Sequence, residues 1–394
     1  MTDVAVRLEE LRDRGLHRRL RLIEGPQGPQ VTLKGQPVLL LCSNNYLGLA
    51  DHPAVREAAA EAARTWGAGA GASRLISGNM EPHRRLEAQL AEFIGYPAAL
   101  LFGSGYLVNT GTIAALAGRG EVVFSDELNH ASIIDGCRLS QAETFVYRHA
   151  DLEHLAWGLE QAGGRGSLIV SDGVFSMDGD LAPVAGLLEL ARRHGCRLMI
   201  DDAHATGAVG PGGRGTVAAA GLSGEVDVVV GTLGKALGAY GAYACASAET
   251  VDFLINAARP FVFSTAPPPP SIGAAAAALE LLRSEPGMVD RLRANAATLR
   301  RALAAEQLAV GDSTTQIVPV GIGEAVPTMD LCERALEGGV FAQGIRPPTV
   351  PEGTSRLRFT VMSSHSADEL ERAAKTVGAA ARELGIAAPA APIA

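Results

Sequence analysis

From Ala98 to Gly231 the sequence alternates repeatedly between short apolar runs and segments of helical spacing. Runs at Ala98–Phe102, Glu121–Ser125, Thr144–Tyr147, Ser167–Ser171, Arg197–Asp201 and Val226–Gly231 have the length of buried strands. Helical patterns at Leu107–Ala117, Ala131–Leu139, Leu152–Ala162 and Val184–His194 lie between some of them. A chain written this way predicts an α/β fold: a mostly parallel central sheet with helices on both faces. In such sheets ligands gather beyond the carboxyl ends of the strands.

The flanks extend this frame. Val4–Leu22 reads as a helix ending in the basic cluster Arg18, Arg19 and Arg21, a pattern that by itself describes a solvated face. Pro37–Cys42 reads as a short strand, followed by the polar, turn-prone stretch SNNYLGL. Helices are expected at Pro53–Trp66 and Pro82–Ile94, each opening on a proline. Between them GAGAGASRLISGN is too rich in glycine for regular structure but suited to close backbone approach. Pro267–Pro270 punctuates the chain, and helices Ile272–Arg283 and Met288–Ala305 follow. A smaller α/β unit then emerges: strand Gln316–Val320, helix Met329–Glu337, strands Val340–Ile345 and Arg356–Val361, and helix Ala367–Leu384. The last ten residues read as frayed. The expected division is 1–45 as an N-terminal segment, 46–268 as a large domain and 269–394 as a small one.

At 394 residues the chain is long enough for more than one domain. With 47% hydrophobic and 20% charged residues it reads as a well-buried globular protein, and the absence of a long apolar run argues against a membrane span. The start, MTDVAVRLEELRDRG, does not read as a secretory signal. Five scattered cysteines without a CxxC pair argue against zinc and against a disulfide framework, and favour a reducing cytoplasm. The net charge of −9 disfavours nucleic acid as a partner.

Polar groups collect at the ends of the expected strands. In VDVVVGTLGKALGAYG, Lys235 follows a core strand and glycines thin the backbone around it. Burial lowers a lysine's pKa and frees its amine for Schiff-base chemistry, although a lysine beyond a strand end also simply snorkels to solvent. LMIDDAHATG leaves a strand through Asp201 and His204, and SDGVFSMDGD leaves another through Asp172, Ser176 and Asp178. DELNHAS puts His130 at a strand-to-helix turn. GSGYLVNTG opens a helix on glycines and offers its N–H groups to an anion. The DxxH spacing of Asp201 and His204 allows a metal pair or a hydrogen-bonded turn, but no third ligand sits at usable spacing. A lysine, a strand-end carboxylate and a phosphate cup together are what pyridoxal phosphate needs.

With these motifs the chain resembles the α-oxoamine synthases, fold-type I pyridoxal-phosphate enzymes that join an amino acid to an acyl-CoA with loss of carbon dioxide. The matching stretches run from SNNYLGL to RLRFT and cover most of the chain. The resemblance implies that Lys235 tethers the cofactor's aldehyde and shuttles the Cα proton, while Asp201 pairs with the ring nitrogen. It implies His130 stacked on the ring, His204 and Ser176 at the phenolic oxygen, and Gly105, Tyr106 and Thr232 lining phosphate and ring. It further implies a homodimer, with Ser264 and Thr265 reaching the phosphate of the other subunit. Arg358 in RLRFT would grip the amino-acid carboxylate, with Asn44 close by. The segment IRPPTVPEGTSRLRFT resembles the members that use L-alanine and a pimeloyl thioester rather than glycine, which makes Arg346 and Thr349 substrate-side candidates, with Arg21 closing the acyl pocket. The loop reads GAGAGASR where relatives more usually have serine and glycine, a departure that bears on how it would hold acyl-CoA.

Overall fold

A computed structural model of the chain describes residues 3–14 and 16–386. They form two compact units, Asn44–Arg293 and, from both ends of the chain, the described residues up to Ser43 with those from Ala294 on. This grouping differs from the expected 46–268 and 269–394. Helix Pro269–Ser284 belongs with the large unit, where it lies against helix Pro53–Trp66. The two approach closely because the contact is made of small residues: a Cβ on Gly273 would stand 2.7 Å from Ala62 Cβ. Two of the four prolines that punctuate the sequence, Pro269 and Pro270, start this helix, since its first turn needs no N–H from them.

The large unit is built on seven strands: β1 Ala98–Phe102, β2 Val122–Asp126, β3 Glu143–Tyr147, β4 Gly166–Asp172, β5 Arg197–Asp201, β6 Val228–Thr232 and β7 Ala242–Ala246. Their order is β1-β7-β6-β5-β4-β2-β3. Every neighbouring pair is parallel except the two made by β7. That exception has a local cause: β6 reaches β7 through the short loop 233–241, and only an antiparallel partner is reachable without a crossover. The mostly parallel α/β sheet is therefore borne out. Its inner strands are near-continuous apolar runs because helices cover both faces, while edge strand β3 leaves Glu143, Thr144 and Val146 exposed. One core cluster joins Val123, Leu168, Met199, Val228 and Ala244 to Val108, Ile113 and Ile133 of the covering helices.

In the second unit, strands Gln30–Leu33 and Gln36–Leu40 form a hairpin, and Val340–Phe341 adds to it in parallel. The hairpin turns on Lys34 and Gly35, both at positive φ, the conformation that suits a two-residue turn. Strands Ala309–Val310, Ile317–Gly323, Ser355–Thr360 and Gln343–Ile345 make an antiparallel sheet. The single strand expected at Val340–Ile345 is thus two strands in two sheets. The N-terminal helix spans Val4–Asp13 and does not continue to Leu22. It buries no residue, so nothing favours its extension, and Arg21 is instead drawn to Glu333 and lies over the Phe341 ring. Of the residues expected to fray, 387–394 lie outside the described residues. Among the described residues no helix is long and apolar enough to cross a membrane.

Candidate active site

Four strands of the sheet end in a polar side chain: Asp126 on β2, Asp172 on β4, Asp201 on β5 and Thr232 on β6. Asp201 is buried and both its oxygens are engaged. Asn109 Nδ2 donates to Oδ2 at 2.6 Å and the Ala203 amide donates to Oδ1 at 2.9 Å. Asn109 lies beside the buried Thr110 and Thr112 in helix Gly105–Leu116, and its Nδ2 also donates to Ser132 Oγ at 2.8 Å. Among the described residues its buried Oδ1 has no hydrogen-bond partner. Sequence reasoning passed over Asn109, whose meaning lies in the distant carboxylate it touches.

His130 caps helix Ala131–Ser140 and its Nδ1 lies 2.7 Å from Ser132 Oγ. Its backbone N–H donates to Asp172 Oδ2 at 2.7 Å. The residue keeps an open face to solvent, yet crowding by protein atoms is the main influence on its ring and holds its pKa below the ordinary value. The field of Asp201 works against that effect and the field of Lys235 adds to it. These two named groups are therefore within electrostatic reach of the ring. Asp172 is fully enclosed; burial first, and then the charge of Asp201, push its carboxyl well above the usual range.

Lys235 sits on loop 233–241, which is closed like a clasp. Leu233 N–H donates to Gly241 O (2.9 Å), Ala239 N–H to Leu233 O (2.8 Å) and Gly238 N–H to Lys235 O (2.9 Å). Thr232 Oγ donates to Gly241 O at 3.0 Å and accepts from Gly234 N–H at 3.2 Å. Gly238 has φ +59°, and a Cβ there would lie 2.6 Å from the Leu49 carbonyl carbon, so no other residue fits without a shift. The chain has three lysines, Lys34, Lys235 and Lys375. Lys34 and Lys375 are exposed, whereas Lys235 is half-buried.

Other expected residues fall in the same unit. His204 is buried with Nδ1 2.6 Å from Tyr46 Oη, and Tyr46 also donates to Asn44 Oδ1 at 3.1 Å. Ser176 lies on the loop after β4. Gly105 begins its helix with open space where a Cβ would be, and Ser104 Oγ accepts from Leu107 N–H at 3.3 Å. Tyr106 is an exception: its half-exposed side chain donates to Asp135 Oδ2 at 2.7 Å. Thr265 bridges to Ser73 of the glycine-rich loop, next to Ser264. That loop is pinned by Arg74, which is buried and donates two hydrogen bonds to Glu87, at 2.9 and 3.0 Å.

The remaining candidates belong to the second unit. Arg358 is buried on strand Ser355–Thr360, and both Arg358 and Arg21 bear electrostatically on Cys42. Burial raises that thiol to about 12, with Cys332 adding to the rise and the two arginines opposing it. Arg346 Nη2 donates to His17 O at 3.2 Å, and the Thr349 amide closes a turn onto Arg346 O.

The donor set of the large unit fits pyridoxal phosphate. A buried, hydrogen-bonded carboxylate suits a ring nitrogen, a half-buried lysine suits an aldehyde, and the open helix start at Gly105 suits a phosphate. No group of three metal-ligating side chains occurs among the described residues.

The chain belongs to the family described as aminotransferase class I and II, whose model matches residues 36–377. It is similar to 8-amino-7-oxononanoate synthase of Geobacter sulfurreducens, at 53% identity covering 97% of this chain and 99% of that protein. Among solved structures it is similar to serine palmitoyltransferase from S. paucimobilis with a bound PLP–myriocin aldimine, at 31% identity and TM-score 0.92, covering 97% and 98%. It is also similar to 8-amino-7-oxononanoate synthase from Francisella tularensis, at 27% identity and TM-score 0.77, covering 89% and 99%. The resemblance carried by the motifs is borne out by these relatives.

Proposed function

We propose that the chain is a pyridoxal-phosphate-dependent acyltransferase of biotin synthesis. It condenses L-alanine with a pimeloyl thioester, releasing carbon dioxide and the carrier thiol and leaving 8-amino-7-oxononanoate. The observation that carries this is Asp201, held from two sides beside the Lys235 loop, in a chain about half identical along its length to synthases of that name.

When bound, pyridoxal phosphate supplies a conjugated ring that takes up the electron pair left on the amino acid's Cα. Asp201 would hold the ring nitrogen, His130 the ring face, and Ser176 and His204 the phenolic oxygen. The amides at Gly105 and Tyr106, with Thr232, would hold the phosphate. Lys235 would hold the aldehyde carbon, and its released amine takes and returns the proton at Cα. Arg358 would bind the alanine carboxylate, with Asn44 nearby. Arg346, Thr349 and Arg21 would serve the acyl chain.

The working form in this reading is a homodimer in which Ser264 and Thr265 reach the phosphate of the second subunit. The exposed apolar residues Leu75, Ile76 and Phe263 flank the Ser73–Thr265 bridge, and apolar side chains left open to water favour a covering partner. Five free cysteines, four of them buried, support a cytoplasmic location. The test is turnover by purified protein with pyridoxal phosphate, comparing L-alanine plus pimeloyl-CoA with glycine plus acetyl-CoA. Thiol release and 8-amino-7-oxononanoate from the first pair are expected. Turnover of the second pair alone would make the chain a glycine-using sister synthase.

A further inference from the structure

His149 follows β3 and plays no part in the site described above. Its Nδ1 lies 3.0 Å from Asp126 Oδ1 and its Nε2 lies 2.8 Å from Asp180 Oδ2. A neutral imidazole has one N–H and cannot donate to two carboxylates at once, so the ring is an imidazolium. Its edge packs on Phe175, with ring centres 4.4 Å apart at 87°. The other charged group facing the residue is Glu127, whose Oε1 accepts from the His149 amide at 2.8 Å, while neighbouring Arg148 is turned to Asp151.

Each carboxylate on the ring controls a different piece of the site. Asp126 ends β2, accepts from Leu128 N–H at 2.9 Å and so shapes the turn that delivers His130. It also accepts from Ala150 N–H at 2.8 Å. Asp180 ends the loop that carries Ser176. That loop closes through Phe175 N–H to Asp180 O at 3.1 Å and Gly179 N–H to Phe175 O at 2.7 Å. Among the described residues Asp180 Oδ1 has no hydrogen-bond partner, and His149 Nε2 donates to Oδ2.

We propose that His149 is a positioning residue whose charged ring ties the turn bearing His130 to the loop bearing Ser176, and thereby sets the spacing at which the two meet a bound pyridine ring. The tie itself is a property of the protein alone; its consequence for the cofactor rests on the site reading given above.

The experiment uses the full-length protein, wild type against His149→Gln and Asp180→Asn. Hydrogen exchange without cofactor is read at 173–182, at 127–130 and, as a reference, at β6. Cofactor uptake is then followed by its dissociation constant and by visible circular dichroism, which senses ring tilt. Asp180→Asn weakens one side of the tie by replacing the charged acceptor with a neutral amide oxygen and leaves Asp126–His149 intact, so it serves if His149→Gln folds poorly. The expected result is faster exchange in 173–182 with β6 unchanged, dissociation constants raised roughly tenfold to a hundredfold, as losing hydrogen bonds to charged groups implies, and an altered dichroic band. Unchanged exchange in both loops would overturn the tie. Faster exchange with wild-type cofactor affinity and dichroism would overturn its positioning role. A wild-type protein that takes up no pyridoxal phosphate would overturn the site reading, and the exchange data would still decide the tie.

Discussion

Asp172 and Asp201 stand side by side, as register partners at the carboxyl ends of adjacent parallel strands. Two buried carboxylates so placed do not both ionise easily, and burial first, then the charge of its neighbour, push the Asp172 carboxyl well above the usual range. A group raised in this way binds a proton in the folded state that the unfolded chain releases. Stability therefore falls as pH rises from the ordinary carboxylate range towards the raised value. Asp172→Asn should remove that part of the slope when thermal midpoints are followed against pH. An identical slope in the variant would show that the Asp172 carboxyl is not raised on folding.

Asp201 faces the cofactor's ring nitrogen in the proposed site. Asp201→Asn should weaken cofactor binding by roughly one to two decades, since a hydrogen bond to a charged group contributes about 1.5–3 kcal/mol. Asn109→Ala should cost less, because the Ala203 amide still holds Oδ1. Equilibrium dialysis of pyridoxal phosphate checks the order. Equal losses would mean that Asn109 acts on the cofactor directly.

His149 gives a pH signature of its own. Burial pulls its pKa down, but hydrogen bonds and charges from Asp126 and Asp180 prevail and push it from 6.5 up to about 10. The stability it contributes is fully present below pH 6.5 and is lost as pH rises through about 10. His149→Gln should differ most from wild type at about pH 6.5 and just below, and the two melting curves should converge as pH rises to about 10. A constant gap across that range would remove the imidazolium from the explanation.

The two arginines of the second unit should separate. Arg358→Ala should raise the alanine concentration needed to perturb the cofactor spectrum without acyl donor by roughly one to two decades. Arg346→Ala should leave that titration unchanged and raise the KM for pimeloyl-CoA. The reverse pattern would exchange their roles.

The strands were legible because a sheet covered on both faces is written as uninterrupted apolar runs, and Arg197–Asp201 and Ala98–Phe102 match the structure residue for residue. Less legible was anything decided by partners distant in sequence. Val340–Ile345 looks like one strand until two different sheets claim its halves. The Gln30–Leu33 strand is too short for periodicity to stand out, although Lys34-Gly35 marks its turn. In the site, the strand-end lysine and aspartate announce themselves. Asn109 and His149 do not, because their meaning lies in which carboxylates they touch.

In the proposed site Lys235 carries the cofactor, and the scarcity of lysine makes a direct measurement clean. Holoprotein treated with borohydride, digested and examined by mass spectrometry should carry a pyridoxyl group on the peptide containing Lys235. The peptides of exposed Lys34 and Lys375 should be unmodified. Lys235→Ala should show no fixed label and should lose at least the roughly 10²–10⁴-fold that a proton shuttle contributes. A label fixed on Lys34 or Lys375, or turnover near wild type in Lys235→Ala, would contradict the assignment.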